Sequence, residues 1–242
     1  MPPTFSFEEV IDTIGAAKNV EELSSAISSL REPYGLANIV YHAVHIPGCA
    51  HTNPILILSY ENAWVKRYTE RDYFSLDPVI KSGRKAFLPI DWSETDRYSL
   101  VAQRFFSEAE SFGVGRQGIT IPVRGPSGER ALLTVTSNAS AEEWRGRRST
   151  YIREFHALAH FVHDRAVKLS GLRRNGAPTL SRRERECLQL LARGRVPKLI
   201  ARDLNLSESA IRLYLKSARH KLGCGTMNRT IAFAINHELI DA

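Results

Sequence analysis

Positive charge and helical pattern coincide at one end of this chain, and that coincidence constrains its architecture most. Residues 171–242 carry 14 Lys/Arg against 6 Asp/Glu, a net of +8. Residues 1–170 carry 19 against 20, a net of −1. A basic, helix-patterned tract is an electrostatic footprint for phosphate, which supplies most non-specific DNA affinity. The plainer alternative is a solubilising basic face. Charge and helical register falling on the same residues favour a DNA-binding module attached to a neutral controlling domain.

Within the tract, Ser181-Arg-Arg-Glu184 is a capping-box pattern. It opens a helix that turns Cys187, Leu188 and Leu191 inward and stops at Gly194. Pro197 suits the first turn of a second helix, about 197–204, where a missing N–H costs little. Ile200, Ala201 and Leu204 face its core, and Asn205-Leu206 makes the turn. Ser207 is a good N-cap for a helix over about 208–222, with Ile211, Leu215, Ala218 and Leu222 as the buried stripe. A last helix, about 228–239, buries Ile231, Ala234 and Ile235.

This is the pattern of a helix-turn-helix, whose second helix enters the major groove. Arg212 and Lys216 are expected to contact bases or phosphate, and Ser209 and Tyr214, with Glu208, are also left for DNA. Arg182, Arg195, Lys198, Arg219 and Lys221 are expected to contact phosphate.

The front half reads as helices around about five strands. Ser6-Phe-Glu-Glu9 is another capping box, followed by Val10, Ile11, Ile14 and Ala17 at helical spacing. A helix from Asn19 carries Leu23, Ala26, Ile27 and Leu30 and ends at Pro33 and Gly35. Residues 37–46 and 55–59 read as strands, and 62–70 as a helix because Trp64 and Tyr68 share a face. Residues 75–90 look like loop. A helix over 97–112 turns Val101, Phe105 and Ala109 inward. Residues 118–124 and 131–137 form a hairpin about Gly125-Pro-Ser-Gly128. A long helix over 146–169 aligns Ile152, Phe155, Ala159, Val162, Ala166 and Leu169.

The expected fold class is therefore α+β. An N-terminal antiparallel sheet is sandwiched by helices (an α-β-α ligand-binding domain), and an all-α helix-turn-helix domain follows. The expected boundaries are 1–169, a Gly/Arg/Asn/Pro-containing linker at 170–179, and 180–242.

Other classes are disfavoured. No apolar run approaches the roughly 18 residues of a membrane span, and the N-terminus lacks the pattern of a signal peptide. Cys49, Cys187 and Cys224 are odd in number and widely spaced, which points to a reducing cytoplasm. His42, His45, Cys49 and His51 cluster in sequence. However, His42 and His45 are three apart on a strand and point to opposite faces, which argues against a metal site. His156, His160 and His163 are expected to border a helix-packing surface. A hydrolase would need a metal motif or a nucleophile elbow, and neither is present.

The segment LSRRERECLQLLARGRVPKLIARDLNLSESAIRLYLKSARHKLG resembles the C-terminal domain of LuxR-type transcriptional regulators. Glu184, Leu188 and Gly194 match the family's register, and the resemblance implies that Glu184 supports the fold. Val196-Pro197, Ala210 and Tyr214 depart from the residues common there, which bears on operator sequence.

The front half resembles the signal-binding domain of the quorum-sensing branch. Trp64-x3-Tyr68-x8-Asp77-Pro78, Trp92, Gly118 before Ile-Thr-Ile-Pro, Tyr60 and Thr134 all match its spacing. The resemblance implies no cofactor but an effector, an N-acyl homoserine lactone. In that reading the Trp64 indole N–H donates to the lactone carbonyl, Asp77 accepts from the amide N–H, and the Tyr60 hydroxyl donates to the acyl carbonyl. Trp92 covers the ring, Tyr68 lines the acyl path, and Thr134 is a further polar contact. The implied partners are palindromic double-stranded DNA, a second copy of the chain and, for an activator, RNA polymerase. An orphan regulator answering to another small molecule, or binding DNA without ligand, is the alternative.

Overall fold

Local rules set the first helices. In the computed structural model, which describes residues 6–47, 49, 53–126, 128–172 and 180–241, Ser6 and Glu9 form the reciprocal capping box of α1 (Phe7–Ala16). Asn19 caps α2 (Val20–Ser28). Pro33 does not end α2, as expected from sequence, but sits inside a one-turn helix, α3 (Arg31–Tyr34). Gly35 closes that turn at φ 65°, a left-handed conformation that favours glycine.

Five strands follow in the order β2-β1-β5-β4-β3, all antiparallel. These are β1 (Asn38–His45), β2 (Ile55–Leu58), β3 (Ile90–Asp91), β4 (Gln117–Arg124) and β5 (Arg130–Ser137). Between β2 and β3 lie α4 (Asn62–Glu70), α5 (Tyr73–Leu76) and α6 (Pro78–Lys85). Next come α7 (Leu100–Ser111) before β4 and α8 (Ala141–Leu169) after β5.

Side-chain alternation divides the sheet into two faces. Ile39, Tyr41, Ala43, Ile119, Ile121, Leu133 and Val135 pack with α1, α2 and the Phe155, Ala159, Val162, Ala166 stripe of α8. On that stripe Ile152 and Leu169 are only partly buried. The other parity carries Val40, His42, Leu56, Leu58, Leu132 and Thr134, and a cavity separates it from α4 to α7.

Three expectations need correction. Residues 75–90 are mostly helical: Asp77 accepts from Val79 N–H and Ile80 N–H, and Pro78 takes the first position of α6. An Asp-Pro pair is as good a helix start as a turn. Helix α7 begins at Leu100, capped by Ser99, and not at 97. Its inward residues are Ala102, Phe105, Phe106 and Ala109, while Val101 is 53% exposed. Helix α8 begins five residues earlier than expected, at a capping box between Ser140 and Glu143.

The second unit is all-helical and separates from the first within residues 173–179, which lie outside the described residues with most of the expected linker. It consists of α9 (Arg182–Ala192), α10 (Pro197–Asp203), α11 (Glu208–Lys221) and α12 (Met227–Asn236). Cys187, Leu188, Ile200, Ala201, Ile211, Leu215, Ala218, Leu222 and Ala234 form its core. Leu191, Leu204, Ile231 and Ile235 pack against that core only partly buried. No helix of the described residues is long and apolar enough to cross a membrane.

Candidate ligand site and nucleic-acid interface

The six residues expected to meet a ligand come from five separate segments, and the fold brings all of them to one cavity of about 150 Å³. Tyr60 precedes α4, Trp64 and Tyr68 lie one turn apart on it, and Asp77 caps α6. Trp92 opens a 3-10 turn over Trp92–Glu94, and Thr134 lies on β5.

Aromatic rings build one wall. Trp64 is 2% exposed and packs edge-on to Tyr68, with ring centroids 5.7 Å apart. Phe105, Tyr73 and Phe112 surround it. The cluster is anchored at its rim by Glu108, which accepts from Tyr73 and Arg67. Among the described residues no protein acceptor meets the Trp64 indole N–H or the Tyr60 hydroxyl, so both remain available to a ligand.

The polar groups are held in fixed poses. Asp77 Oδ1 accepts from Val79 N–H at 2.7 Å and Ile80 N–H at 3.3 Å, and Oδ2 accepts from the Tyr68 hydroxyl at 2.7 Å. Burial raises the Asp77 carboxyl to about 6, although these hydrogen bonds pull it down. Burial and the Asp77 charge push both the Tyr60 and Tyr68 hydroxyls well above the usual tyrosine range, so both stay protonated and able to donate. Trp92 Nε1 donates to Thr120 Oγ1 at 3.1 Å, and Thr120 Oγ1 lies 3.0 Å from Thr134 Oγ1. Trp92 is thereby fixed to the centre of the sheet.

Gly118 explains why Trp92 can lie so flat on β4. A Cβ at 118 would stand 2.5 Å from Trp92 Cδ2 and Cε2. Overpacking of this kind costs about 1–3 kcal/mol. Gly118→Ala is expected to lower the melting temperature of the first unit by about 5 °C and to change the near-UV circular dichroism of Trp92. A variant with an unchanged melting curve and spectrum would show that β4 yields easily.

The segment beside Trp92 is tied to α8. Asp91 is buried, accepts from Trp144 Nε1 at 2.9 Å and pairs with Arg148 Nε at 3.0 Å. Sequence reading missed this tie, and it missed Thr120 and His42 as cavity-side groups. His42 and His45 do face opposite ways, buried and exposed, but His42 faces the cavity. His51 of the considered metal cluster lies outside the described residues. Among the histidines of α8, His163 is buried with Nδ1 2.8 Å from the Tyr41 hydroxyl, while His160 is exposed.

In the second unit Glu184 is a structural hub. It is 4% exposed and accepts from Ser181 N–H at 2.7 Å, Ser217 Oγ at 2.7 Å and Lys221 Nζ at 2.8 Å. It therefore locks α9 to α11. Burial acts to raise its pKa, but the hydrogen bonds from Lys221, Ser217 and Ser181 outweigh it and hold the carboxyl at about 2. A depressed folded-state pKa gives stability that is complete above the ordinary value of 4.5 and lost as pH falls toward 2. Glu184→Gln is expected to cost about 2 kcal/mol at pH 7. Urea unfolding at pH 7 and pH 3 should show that difference shrinking in acid, and an equal loss at both values would contradict the ionic account.

Of the expected DNA contacts, Arg182, Arg195, Lys198, Ser209, Arg212, Lys216 and Lys221 are exposed, and Tyr214 and Arg219 half-buried. Ser209, Arg212 and Lys216 lie on α11, whose opposite stripe is buried. Arg212 pairs with Glu208 at 2.5 Å and Arg182 with Glu186 at 2.9 Å. Both are exposed i,i+4 pairs, worth little and easily exchanged for phosphate. Lys221 is committed to Glu184.

Comparison with known proteins agrees with this two-part design. Residues 19–166 match the autoinducer binding domain family, and residues 178–234 match the family of bacterial regulatory proteins, luxR family. The chain is 48% identical over 198 residues to the transcriptional activator protein RaiR of Rhizobium etli, covering 81% of this chain and 82% of that protein. The crystal structure of Escherichia coli SdiA superposes with a TM-score of 0.66 at 18% identity, over 96% of this chain and 97% of that one. SdiA in complex with octanoyl-rac-glycerol superposes with a TM-score of 0.65 at 18% identity, over 96% and 93%. At that identity the likeness shows the fold. The family matches show more: this chain belongs to the LuxR family of quorum-sensing transcriptional regulators, with an autoinducer-binding domain ahead of a DNA-binding helix-turn-helix domain, and is not an enzyme.

Proposed function

We propose that the first unit binds an N-acyl homoserine lactone and that a dimer of the chain reads palindromic DNA through α11. The observation that carries this is the convergence of Trp64 N–H, Tyr60 O–H and the Asp77 carboxylate on one mostly apolar cavity. Two donors and one acceptor match a lactone carbonyl, an acyl carbonyl and an amide N–H. Trp92 covers the ring, Thr134 adds a polar contact, and Tyr68 with the aliphatic lining takes the chain. Hydrogen bonds of this kind contribute about 0.5–1.5 kcal/mol each. Each buried CH₂ adds about 0.8 kcal/mol, so the tail supplies most of the affinity.

Dimerisation through α8 and α12 would set two copies of α11 one helical turn of DNA apart. Ligand acts by completing the core of the first unit and stabilising that form by mass action. The proposed domain boundaries are 1–169 for the ligand-binding and dimerisation domain and 180–242 for the DNA-binding domain, joined by 170–179. The reducing cytoplasm, where such a regulator meets DNA, is the proposed location, and RNA polymerase the further partner if the chain activates.

The test is a mobility shift of the full chain on palindromic DNA, with and without lactones from C4 to C18. One chain-length class should change DNA affinity. Equal binding with all lactones and with none would overturn the reading. A second reading rests on the SdiA complex: octanoylglycerol also joins an acyl chain to a small polar head. Monoacylglycerols therefore belong in the same panel.

A further inference from the structure

The part of the cavity wall that Trp92 forms stands on the shortest strand of the sheet. β3 is an outer strand of two residues and pairs only with β4, Ile90 with Thr120 and Asp91 with Ile119. Partners across an antiparallel pair share a face, and neighbours along a strand take opposite faces. Asp91 therefore lies with Ile119 on the α8 side, while Trp92 lies over Gly118 on the cavity side. Two adjacent residues of one short strap reach both layers of the domain.

Asp91 is 3% exposed, and both its carboxylate oxygens are engaged. Oδ1 accepts from Ser93 N–H at 2.8 Å and from Ser93 Oγ at 2.7 Å. Oδ2 accepts from Trp144 Nε1 at 2.9 Å and stands 3.0 Å from Arg148 Nε, an ionic contact without hydrogen-bond alignment. Arg148 reaches on to Glu94 at 2.5 Å. Burial by itself would raise the Asp91 carboxyl, but the hydrogen bonds from Ser93 and Trp144 and the Arg148 charge outweigh it and hold the group below the usual aspartate range. Trp144 is fixed in turn, 3% exposed with its ring against Tyr151 at 5.4 Å between centroids. No member of this cluster lines the cavity, and the proposed lactone contacts give it no task.

We propose that Asp91 is a positioning residue for the ligand: held by Trp144 and Arg148 on one face of the sheet, it fixes the Trp92 ring over the head group on the other. The inference rests on the lactone reading above. A strap held only by two ladder pairs would have to be ordered during binding, which weakens affinity. One already tied to α8 presents its ring preformed. Coupling of this kind is reciprocal, so a lactone seated against Trp92 steadies the first turns of α8 in return.

The experiment is titration calorimetry of the full chain with homoserine lactones of C4 to C18 acyl length. Asp91→Asn and Trp144→Phe are each expected to weaken the tightest-binding lactone about fivefold, the ratio that one hydrogen bond gives. In a Trp92→Leu background the same two substitutions should change affinity by less than about twofold, because the ring they act through is gone, and the double-mutant cycle reads that coupling. A general loss of stability would weaken binding equally in both backgrounds. That result, or wild-type affinity in both Asp91→Asn and Trp144→Phe, overturns this inference while the lactone reading stands. Amide hydrogen exchange of the wild-type chain decides the matter even if the variants do not fold. Saturating lactone should slow residues 144–151 of α8 more than residues 160–167, and equal slowing at both ends would overturn the inference. If no lactone binds, the lactone reading itself fails and takes this inference with it.

Discussion

Asp77→Asn is expected to weaken lactone binding about a hundredfold, the loss of one charge-assisted hydrogen bond worth about 1.5–3 kcal/mol, with little change in the fold. Asn retains an oxygen to cap α6 through Val79 and Ile80, and Asn and Asp are comparable N-caps. What it lacks is the second acceptor oxygen, the one now facing Tyr68 and the cavity. The pH dependence follows from the same group. Its folded-state pKa, about 6, lies above the ordinary 3.8. The unliganded first unit therefore loses stability as pH rises from about 4 to 6, because ionising a buried carboxyl costs energy. Binding to an amide N–H needs the ionised form, so wild-type affinity should rise over the same range while that of Asp77→Asn stays flat. Trp64→Phe, which deletes only the indole N–H and part of the ring, should also impair the response. Calorimetry between pH 5 and 8 measures both. Binding by Asp77→Asn within threefold of wild type, with the same pH profile, would remove Asp77 from the site.

The double variant Arg212→Ala, Lys216→Ala should abolish specific operator binding. Both residues stand on the exposed face of α11, opposite the buried Ile211, Leu215 and Ala218. In a dimer each substitution acts twice. At about 1.5 kcal/mol per site, the two truncations in each protomer together amount to about 6 kcal/mol, more than a thousandfold. Releasing Arg212 from Glu208 costs the free protein little, because exposed ion pairs contribute about 0–1 kcal/mol. The single variants separate the two roles. Removing one phosphate interaction from each protomer should reduce the salt slope of binding by about 2, whereas removing a base interaction should relax specificity at one operator position. Fluorescence anisotropy on operator and scrambled DNA at several salt concentrations reads both. An unchanged operator affinity would mean that α11 does not enter the groove by this face.

Much of this was legible in the chain itself. Ser6, Ser181 and Ser207 announced their helices because an N-cap acts on backbone groups two or three residues away. The helix at 62–70 and the hairpin strands were legible because their periods of 3.6 and 2 are local. The convergence of Tyr60, Trp64, Tyr68, Asp77, Trp92 and Thr134 was foreshadowed only by the resemblance of their spacing to a signal-binding domain, since no local period links them.

What the sequence left hidden depends on contacts distant along the chain. Helices α5 and α6 are too short to display a period, and the Asp77-Pro78 pair reads equally as turn or helix start. Strand β3 has two residues and exists only because Ile90 and Asp91 pair with Thr120 and Ile119. The first turn of α7 exposes Val101 because the helix packs by its Phe105–Phe106 side. The sequence by itself determined the two-part plan, through segregated charge and local periodicity. Only the tertiary structure decided that Trp92 leans on Gly118 and Thr120, that Asp91 is held by α8, and that His42 lines the cavity beside Leu56 and Leu132, since each of these joins residues whose proximity is created by folding.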